Sequence, residues 1–390
     1  MASEMRQIRI RSLVERMSES TNGNRSLLSL EDLHVEFPTR EGVVRAVRGA
    51  TFHVSEGETL GLVGESGCGK TVCSQAILRI VPSPGRIVRG RIVLSSRTND
   101  VAARSVLGVS NVLAAPYAGT VSGDDSTGDG SAVDLASLGS SSYELKWIRR
   151  NEIAMIMQEP MSALSPVHTI GNQIMERIRL SSELTKADAR DRCIELLEQV
   201  GLPDAKERID RYSFELSGGM RQRAMIAMAL AGDPRLLIAD EPTTAVDVTI
   251  QAQILRLLKQ LQDQLGMAIL MITHDLSVVA NVAHRVAVMY RGRVVETGSV
   301  RQVLREPKHP YTRGLIACIP DIASEDKGRI KTIKGVVPHP YAVVNGCQFH
   351  PRCSAFMRGT CDRLEPEDYP VDGDHVVACH LYGEENERAE

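Results

Sequence analysis

The sequence predicts an α/β fold built on a parallel sheet, with an antiparallel sheet before it and a small cysteine-bearing region after it. Three observations carry this. The segment LLSLEDLHVEF from Leu27, followed by VVRAVRGATFHVSEGETLGLV, alternates apolar and polar residues and breaks at Gly49 and Gly57, the pattern of antiparallel strands leading into a buried one. That buried strand, Thr59 to Val63, runs straight into a glycine-rich loop. Farther on, LLIA at 236–239, a helical pattern over 248–265 and AILMI at 268–272 form a strand-helix-strand unit, which implies parallel pairing.

The 390 residues suffice for one large domain plus a smaller one. With 43% apolar and 24% charged residues, the chain is neither wholly disordered nor collagen-like nor a disulfide scaffold. Lys plus Arg (46) nearly balances Asp plus Glu (49), so no global charge favours nucleic acid or an anionic membrane surface. The N-terminus lacks the apolar run of a signal peptide, and the longest apolar stretch, Ala224 to Ala231, is far short of the roughly 20 residues needed to span a bilayer. The eight cysteines are therefore expected to be mostly reduced.

In order along the chain, residues 1–26 read as a frayed polar tail. A short helix and the strand RIVRGRIVL follow the glycine-rich loop. A polar insertion over about 95–142, centred on SGDDSTGDGS, reads as a disordered loop. Helices dominate next, over about 145–230. Between Thr185 and Val200, Thr185 and Asp188 form a capping pattern, Ile194, Leu197 and Val200 share a face, and Gly201 stops the helix. In the helix over 248–265, Ile250, Ile254, Leu257, Leu258, Leu261 and Leu265 recur at helical spacing and Gly266 ends them. RVAVMYRGRVVETG predicts a hairpin turning at Arg291 and Gly292, and the chain beyond Arg301 is proline-punctuated.

The glycine-rich loop reads Gly64-Glu65-Ser66-Gly67-Cys68-Gly69-Lys70-Thr71, a G-x-x-x-x-G-K-T pattern between strand and helix. Glycines let successive amides turn toward a polyphosphate, and the helix adds its positive end. Lys70 supplies charge to the β and γ phosphates, Thr71 a hydroxyl for Mg²⁺, and Cys68 its backbone amide. A phosphate-bound Mg²⁺ also needs a carboxylate, and a hydrolytic water needs a base. Asp240, expected first after the strand LLIA, suits the metal, and Glu241 suits the water. Leu216-Ser217-Gly218-Gly219 opens a further helix, with Ser217 as cap and two bare glycines exposing amides to an anion. Taken singly, Gln158 in MIMQEP reads as a surface residue and His274 in MITHD as a structural histidine; their order relative to the other motifs reverses both readings.

Together these motifs resemble an ABC-transporter nucleotide-binding domain: Walker A at 64–71, a Q-loop at Gln158, the LSGG signature at 216–219, Walker B at 236–241, a D-loop at Ala245-Val246-Asp247 and an H-loop at His274. HPYTRGL at 309–315, VVNGC at 343–347 and the cysteine-bearing tail look like the ATP-binding subunit of dipeptide and oligopeptide importers. The resemblance implies a P-loop core of the RecA type with antiparallel and helical subdomains over 27–300, and a transporter-type C-terminal domain over 301–390. It further implies ATP and Mg²⁺ as cofactors, with Thr71, Gln158 and Asp240 on the metal. Glu241 would be the general base, His274 would steady the γ phosphate, and Ser217, Gly218 and Gly219 would reach it in trans. Asp247 would line the dimer contact. Phe37 is a candidate for stacking on adenine, with ordinary packing as the alternative. Implied partners are a second ATPase subunit, two transmembrane permeases and, indirectly, an extracytoplasmic binding protein, at the cytoplasmic face of the inner membrane, without nucleic acid. A soluble ABC ATPase of repair or translation, or an importer of nickel chelates, glutathione or sugars, stays open.

Cys347, Cys353, Cys361 and Cys379 follow C-x5-C-x7-C-x17-C, a spacing that favours a metal over disulfides. Spacing does not choose between zinc and iron-sulfur, and His350 or His380 would complete a Cys₃His zinc site. The family resemblance favours [4Fe-4S].

Overall fold

The structure is a computed structural model, and it describes residues 25–95, 132–158, 163–243, 247–319 and 332–383, with only the backbone of Val248. Most of the expected N-terminal tail and polar insertion, together with Ala245 and Val246, lies outside them. In chain order the strands are β1 (Ser26–Thr39), β2 (Gly42–Ser55), β3 (Thr59–Val63), β4 (Arg86–Ser95), β5 (Ala132–Asp134), β6 (Ile153–Ile156), β7 (Leu236–Asp240), β8 (Ala268–Thr273), β9 (Arg285–Tyr290), β10 (Arg293–Ser299), β11 (Tyr369–Asp372) and β12 (His375–Val377). The described residues form two compact units, one of those up to Ile92 and from Ile272 onward, the other of Val93–Met271.

In the first unit, β1 and β2 pair antiparallel, bringing Leu28 opposite Val54, Leu30 opposite Phe52 and Val35 opposite Val47, all six buried. These cross-strand apolar pairs are what the alternating sequence pattern builds. β4 lies on the other side of β1. A second set runs in the order β11-β12-β10-β9-β3, with β3 parallel to β9. All five residues of β3 are buried, as a strand covered on both faces requires. Truncating Leu62 to Ala there would cost about 2–5 kcal/mol. The β9–β10 turn falls where expected: Arg291 (φ 43) and Gly292 (φ 85) both take left-handed backbone, the geometry of a two-residue hairpin turn whose twist matches its strands. The C-terminal region joins the same core. Tyr311 and Phe349 pack with Val63, Val288 and Tyr290 in one buried cluster, against which Cys347 and Cys353 also lie.

In the second unit, β8, β7 and β6 are neighbours in that order, with β6 and β7 parallel. Around them run the helices Tyr143–Asn151, Ile170–Ser181, Lys186–Gln199, Gly218–Leu230 and Val248–Leu265. Each begins at a residue whose side chain accepts a backbone N–H of its first turn: Ser142, Thr169, Thr185, Ser217 and Asp247. Each such cap is worth about 1 kcal/mol. Helix Lys186–Gln199 differs from expectation in its buried face, which is Ala189, Cys193, Leu196 and Leu197, while Ile194 is only half-buried. It ends as expected at Gly201 (φ 70), past which Leu202 N–H reaches back to the Leu197 carbonyl at 2.8 Å. No helix among the described residues is long and apolar enough to cross a membrane.

Candidate functional site

The phosphate loop of the first unit hangs between β3 and helix Lys70–Ile77. Two of its glycines are sterically required. A Cβ on Gly64 would collide with the Met289 carbonyl and come within 2.8 Å of Cys68 Sγ; one on Gly69, at φ 108, would collide with the Ala46 carbonyl. Lys70 is buried and its Nζ donates to the carbonyls of Gly64 (2.8 Å) and Glu65 (3.2 Å), so the charge is gathered into the loop rather than extended into solvent. Ser66 and Gly67 are exposed, and Thr71 is half-buried at the second helical position. The Cys68 amide donates to the Glu65 carbonyl at 3.2 Å, closing the turn, and burial pushes its thiol above the ordinary range.

His274 follows β8 and is exposed, just before Asp275, which caps helix Leu276–Val282. An exposed imidazole there is not a buried structural histidine. Phe37, near the end of β1, is half-buried and pairs across the hairpin with Val44; its ring edge lies where a Cβ on Gly85 would fall. Thus at least that edge of the ring is packed.

In the second unit, Asp240 is the last residue of β7 rather than the first beyond it, and is 1% exposed. Glu241 takes left-handed backbone (φ 47), unusual for a residue with a Cβ and characteristic of functional turns. Gln158, exposed just past β6, donates Nε2–H to Glu241 Oε2 at 2.8 Å. The structure therefore brings together two residues that the sequence offered separately. Ser217 caps helix Gly218–Leu230 by accepting from Met220 N–H at 3.4 Å. Ser217 and Gly218 are exposed, nothing lies within 4 Å of a Cβ built on Gly218, and Gly219 lies against Ile250. A helix start with bare amides can receive an anion. Asp247 is exposed and caps helix Val248–Leu265 by accepting from Ile250 N–H at 2.9 Å.

The expectation of a ready metal site in the tail is not met: among the described residues no group of three or more His, Cys, Asp and Glu is arranged to hold a metal ion. All eight cysteines are free. Burial pushes the Cys347 thiol up to about 11 and that of Cys379 up to about 12, and raises Cys353. Charge on Cys361 would disfavour ionisation of all three, and Cys379 is disfavoured by Cys347 and Cys353 as well. His350 and His380 each bond a backbone carbonyl at 2.9 Å, those of Cys347 and Leu364. For Mg²⁺ no preassembled cage is required, since phosphate and water oxygens supply most of its ligands; each unit by itself offers an oxygen donor of the kind that ion takes, the Thr71 hydroxyl in the first and the buried Asp240 carboxylate in the second.

Two residues reach the phosphate loop without having been singled out by the sequence. Arg352 forms a two-pronged ion pair with Glu65, at 2.7 and 3.0 Å, and the Tyr311 hydroxyl accepts the Glu65 N–H at 2.9 Å. Tyr311 belongs to HPYTRGL, quoted above only for its resemblance, whereas no local pattern marks Arg352.

The fold agrees with comparison to known proteins. The model of the ABC transporter family matches residues 47–244, and that of the oligopeptide/dipeptide transporter C-terminal region matches residues 295–361. The chain belongs to the ABC transporter ATP-binding family. The ABC subunit is 42% identical to the oligopeptide transport ATP-binding protein OppD of Bacillus subtilis, over 91% of this chain and 88% of that protein. It is 41% identical to the dipeptide transport ATP-binding protein DppD of Haemophilus influenzae, over 91% and 95% respectively. The probable peptide ABC transporter ATP-binding protein y4tR of Sinorhizobium fredii is 43% identical over 90% and 94%. Among solved structures, the ATP-binding cassette MJ0796, a post-hydrolysis dimer bound to ADP and Pi, matches with a TM-score of 0.55 at 22% identity, covering 70% of this chain and 99% of that one. That likeness supports the ABC fold of the ABC subunit. Family membership makes it an ATPase.

Proposed function

We propose that this chain is the ATP-hydrolysing subunit of an ABC importer that takes up di- or oligopeptides. The observation that carries the ATPase half is that one chain holds two surfaces suited to phosphate: the glycine cradle around buried Lys70, and the exposed start of helix Gly218–Leu230. The cargo half is supported by relatives named for peptide, oligopeptide and dipeptide transport along nine-tenths of the chain.

In this reading residues 64–71 cradle the β and γ phosphates, with Lys70 neutralising their charge. Thr71, Gln158 and Asp240 would hold Mg²⁺, which when bound would offset the charge of the phosphoryl group. Glu241 takes the proton of the attacking water, and His274 steadies that water and the γ phosphate. Ser217, Gly218 and Gly219 act on the nucleotide of a second ATPase subunit, and Phe37 contacts the adenine. Positioning and charge neutralisation then supply most of the rate. Two transmembrane permeases convert closure and reopening of the paired ATPases into transport, and an extracytoplasmic binding protein selects the peptide. The chain works at the cytoplasmic face of the membrane.

We also propose that Cys347, Cys353, Cys361 and Cys379 take up a [4Fe-4S] cluster rather than zinc. The reading rests on the family resemblance and on the four cysteines within one short C-terminal segment, with charge on Cys361 felt by the other three. A single zinc, with bonds of about 2.3 Å, would hold its sulfurs close together.

The function is tested by purifying the chain with its permeases and measuring ATP turnover with a peptide-loaded binding protein. Stimulation by peptide, abolished in Lys70→Ala, is expected. Stimulation only by a nickel chelate or sugar would overturn the cargo assignment, and unaltered turnover in Lys70→Ala would overturn the site.

A further inference from the structure

Glu65 is the second residue of the phosphate loop, and its polar groups are tied in two directions. Inward, its carbonyl accepts from Lys70 Nζ at 3.2 Å and from Cys68 N–H at 3.2 Å. Outward, its N–H donates to the Tyr311 hydroxyl at 2.9 Å and its carboxylate takes both prongs of the Arg352 guanidinium. Every outward partner comes from the C-terminal region, 246 and 287 residues away along the chain.

Those partners are themselves held rigidly. Tyr311 is fully buried, with its ring 4.7 Å from that of Tyr290 and 5.4 Å from that of Phe349. Its N–H donates to His309 Nδ1 at 3.0 Å, Pro310 fills the first helical position, and His309 N–H donates to the buried carboxylate of Glu296 at 2.9 Å. The His-Pro-Tyr sequence thus aims one hydroxyl at the loop. The Arg352 guanidinium lies 5.8 and 5.9 Å from the ring centres of Tyr290 and Phe349. A planar fork fixed over two rings meets a carboxylate in one orientation only.

We propose that Tyr311 and Arg352 are positioning residues for the phosphate loop, so that the C-terminal region sets the nucleotide affinity of the ATPase. This rests on reading residues 64–71 as the nucleotide-binding loop. A loop amide must face the phosphate before binding, and any freedom left in the Glu65 peptide must be lost on binding, which weakens affinity. The carbonyl of that same peptide bonds Lys70, so loosening Glu65 loosens the charge as well. Arg352 directly precedes Cys353, and Cys347 and Cys353 pack against the cluster that holds Tyr311, so disorder in the cysteine segment would reach the loop by this route.

The test is the dissociation constant for a fluorescent ATP analogue on the full chain, measured beside thermal melts, for Arg352→Lys, Tyr311→Phe, Glu65→Gln and the pair Arg352→Lys/Glu65→Gln. Arg352→Lys and Glu65→Gln are expected to weaken binding about tenfold, the scale of one charge-assisted hydrogen bond. The pair should be no weaker than either alone, because both remove one interaction. Tyr311→Phe, which keeps the ring and loses one oxygen, should weaken binding several-fold with little change in melting; it carries the test if Arg352→Lys does not fold. A lower melting temperature with unchanged affinity in Arg352→Lys and Tyr311→Phe would make these contacts a mere fastening and overturn the proposal. Lys70→Ala separates the two readings: if it too leaves affinity unchanged, the nucleotide loop itself is misassigned.

Discussion

Gln158 Nε2 donates to Glu241 Oε2 across 2.8 Å, joining residues 83 positions apart on the turns that follow β6 and β7. The bond holds a carboxylate whose backbone is already in a left-handed conformation (φ 47), so Glu241 is fixed both by its main chain and by an amide from another strand end. A general base needs this kind of aim before it needs a shifted pKa.

Glu241→Gln keeps size, backbone and an oxygen for Gln158 to donate to, so melting should not change. It removes the proton acceptor. Turnover should fall by about 10²–10⁴-fold while ATP binding persists. A steady-state rate within threefold of the parent would remove Glu241 from the role of base.

Ser217 caps a helix and, in the proposed function, also meets phosphate, and one substitution separates the two. As a cap it accepts from Met220 N–H, and Asp serves that purpose about as well as Ser. As a phosphate ligand it must not be negative. Ser217→Asp should therefore leave stability within about 0.5 kcal/mol and reduce ATP turnover more than a hundredfold, whereas Ser217→Ala should lose about 1 kcal/mol of cap energy. If Ser217→Asp hydrolyses ATP normally, the signature does not meet phosphate.

Much of this was legible in the sequence because the signals are local. The buried strand Thr59–Val63, the helix Val248–Leu265, the cap at Ser217 and the turn at Arg291 and Gly292 each follow from residues a few positions apart. The buried face of helix Lys186–Gln199 was partly misread because Cys193 packs as an apolar residue and displaces Ile194 toward the rim. Contacts such as Arg352 with Glu65 leave no periodic trace at all. A charged pair 287 positions apart is chosen by tertiary packing, and neither partner's neighbours announce it.

His309 gives the fold a pH dependence with a definite sign. Burial pushes its imidazole down to about 4, opposed by the Glu296 carboxylate and aided by Arg293 and Arg313. Folded protein therefore refuses a proton that the unfolded chain accepts below about pH 6.5. The stability contributed by neutral His309 is complete above that value and declines as pH falls toward 4. At pH 5 the loss should be about 2 kcal/mol. The mechanism is specific, since protonation of Nδ1 would abolish its acceptance of Tyr311 N–H. His309→Asn supplies a cap that does not titrate and should flatten the decline in melting temperature between pH 7.5 and 5. Buried His53, pushed down to about 3 by burial and by Arg285, leaves a residual slope in both proteins. Parallel profiles for parent and His309→Asn would rule out His309 as the source.

The cysteine segment makes a prediction about composition. Burial raises the thiols of Cys347, Cys353 and Cys379, so binding any metal requires them to lose protons, and loading should improve as pH rises. Anaerobically purified protein should carry about four iron and four sulfide per chain with the absorbance of a [4Fe-4S] centre. Replacing Cys347, Cys353, Cys361 and Cys379 together with Ala should remove both. One zinc per chain would instead mean that the segment closes around a single tetrahedral ion, a rearrangement of thiols that now form no such group. Folded, ATP-binding protein free of metal after anaerobic purification would end the cluster assignment and leave the four residues as buried and half-buried thiols of the C-terminal region.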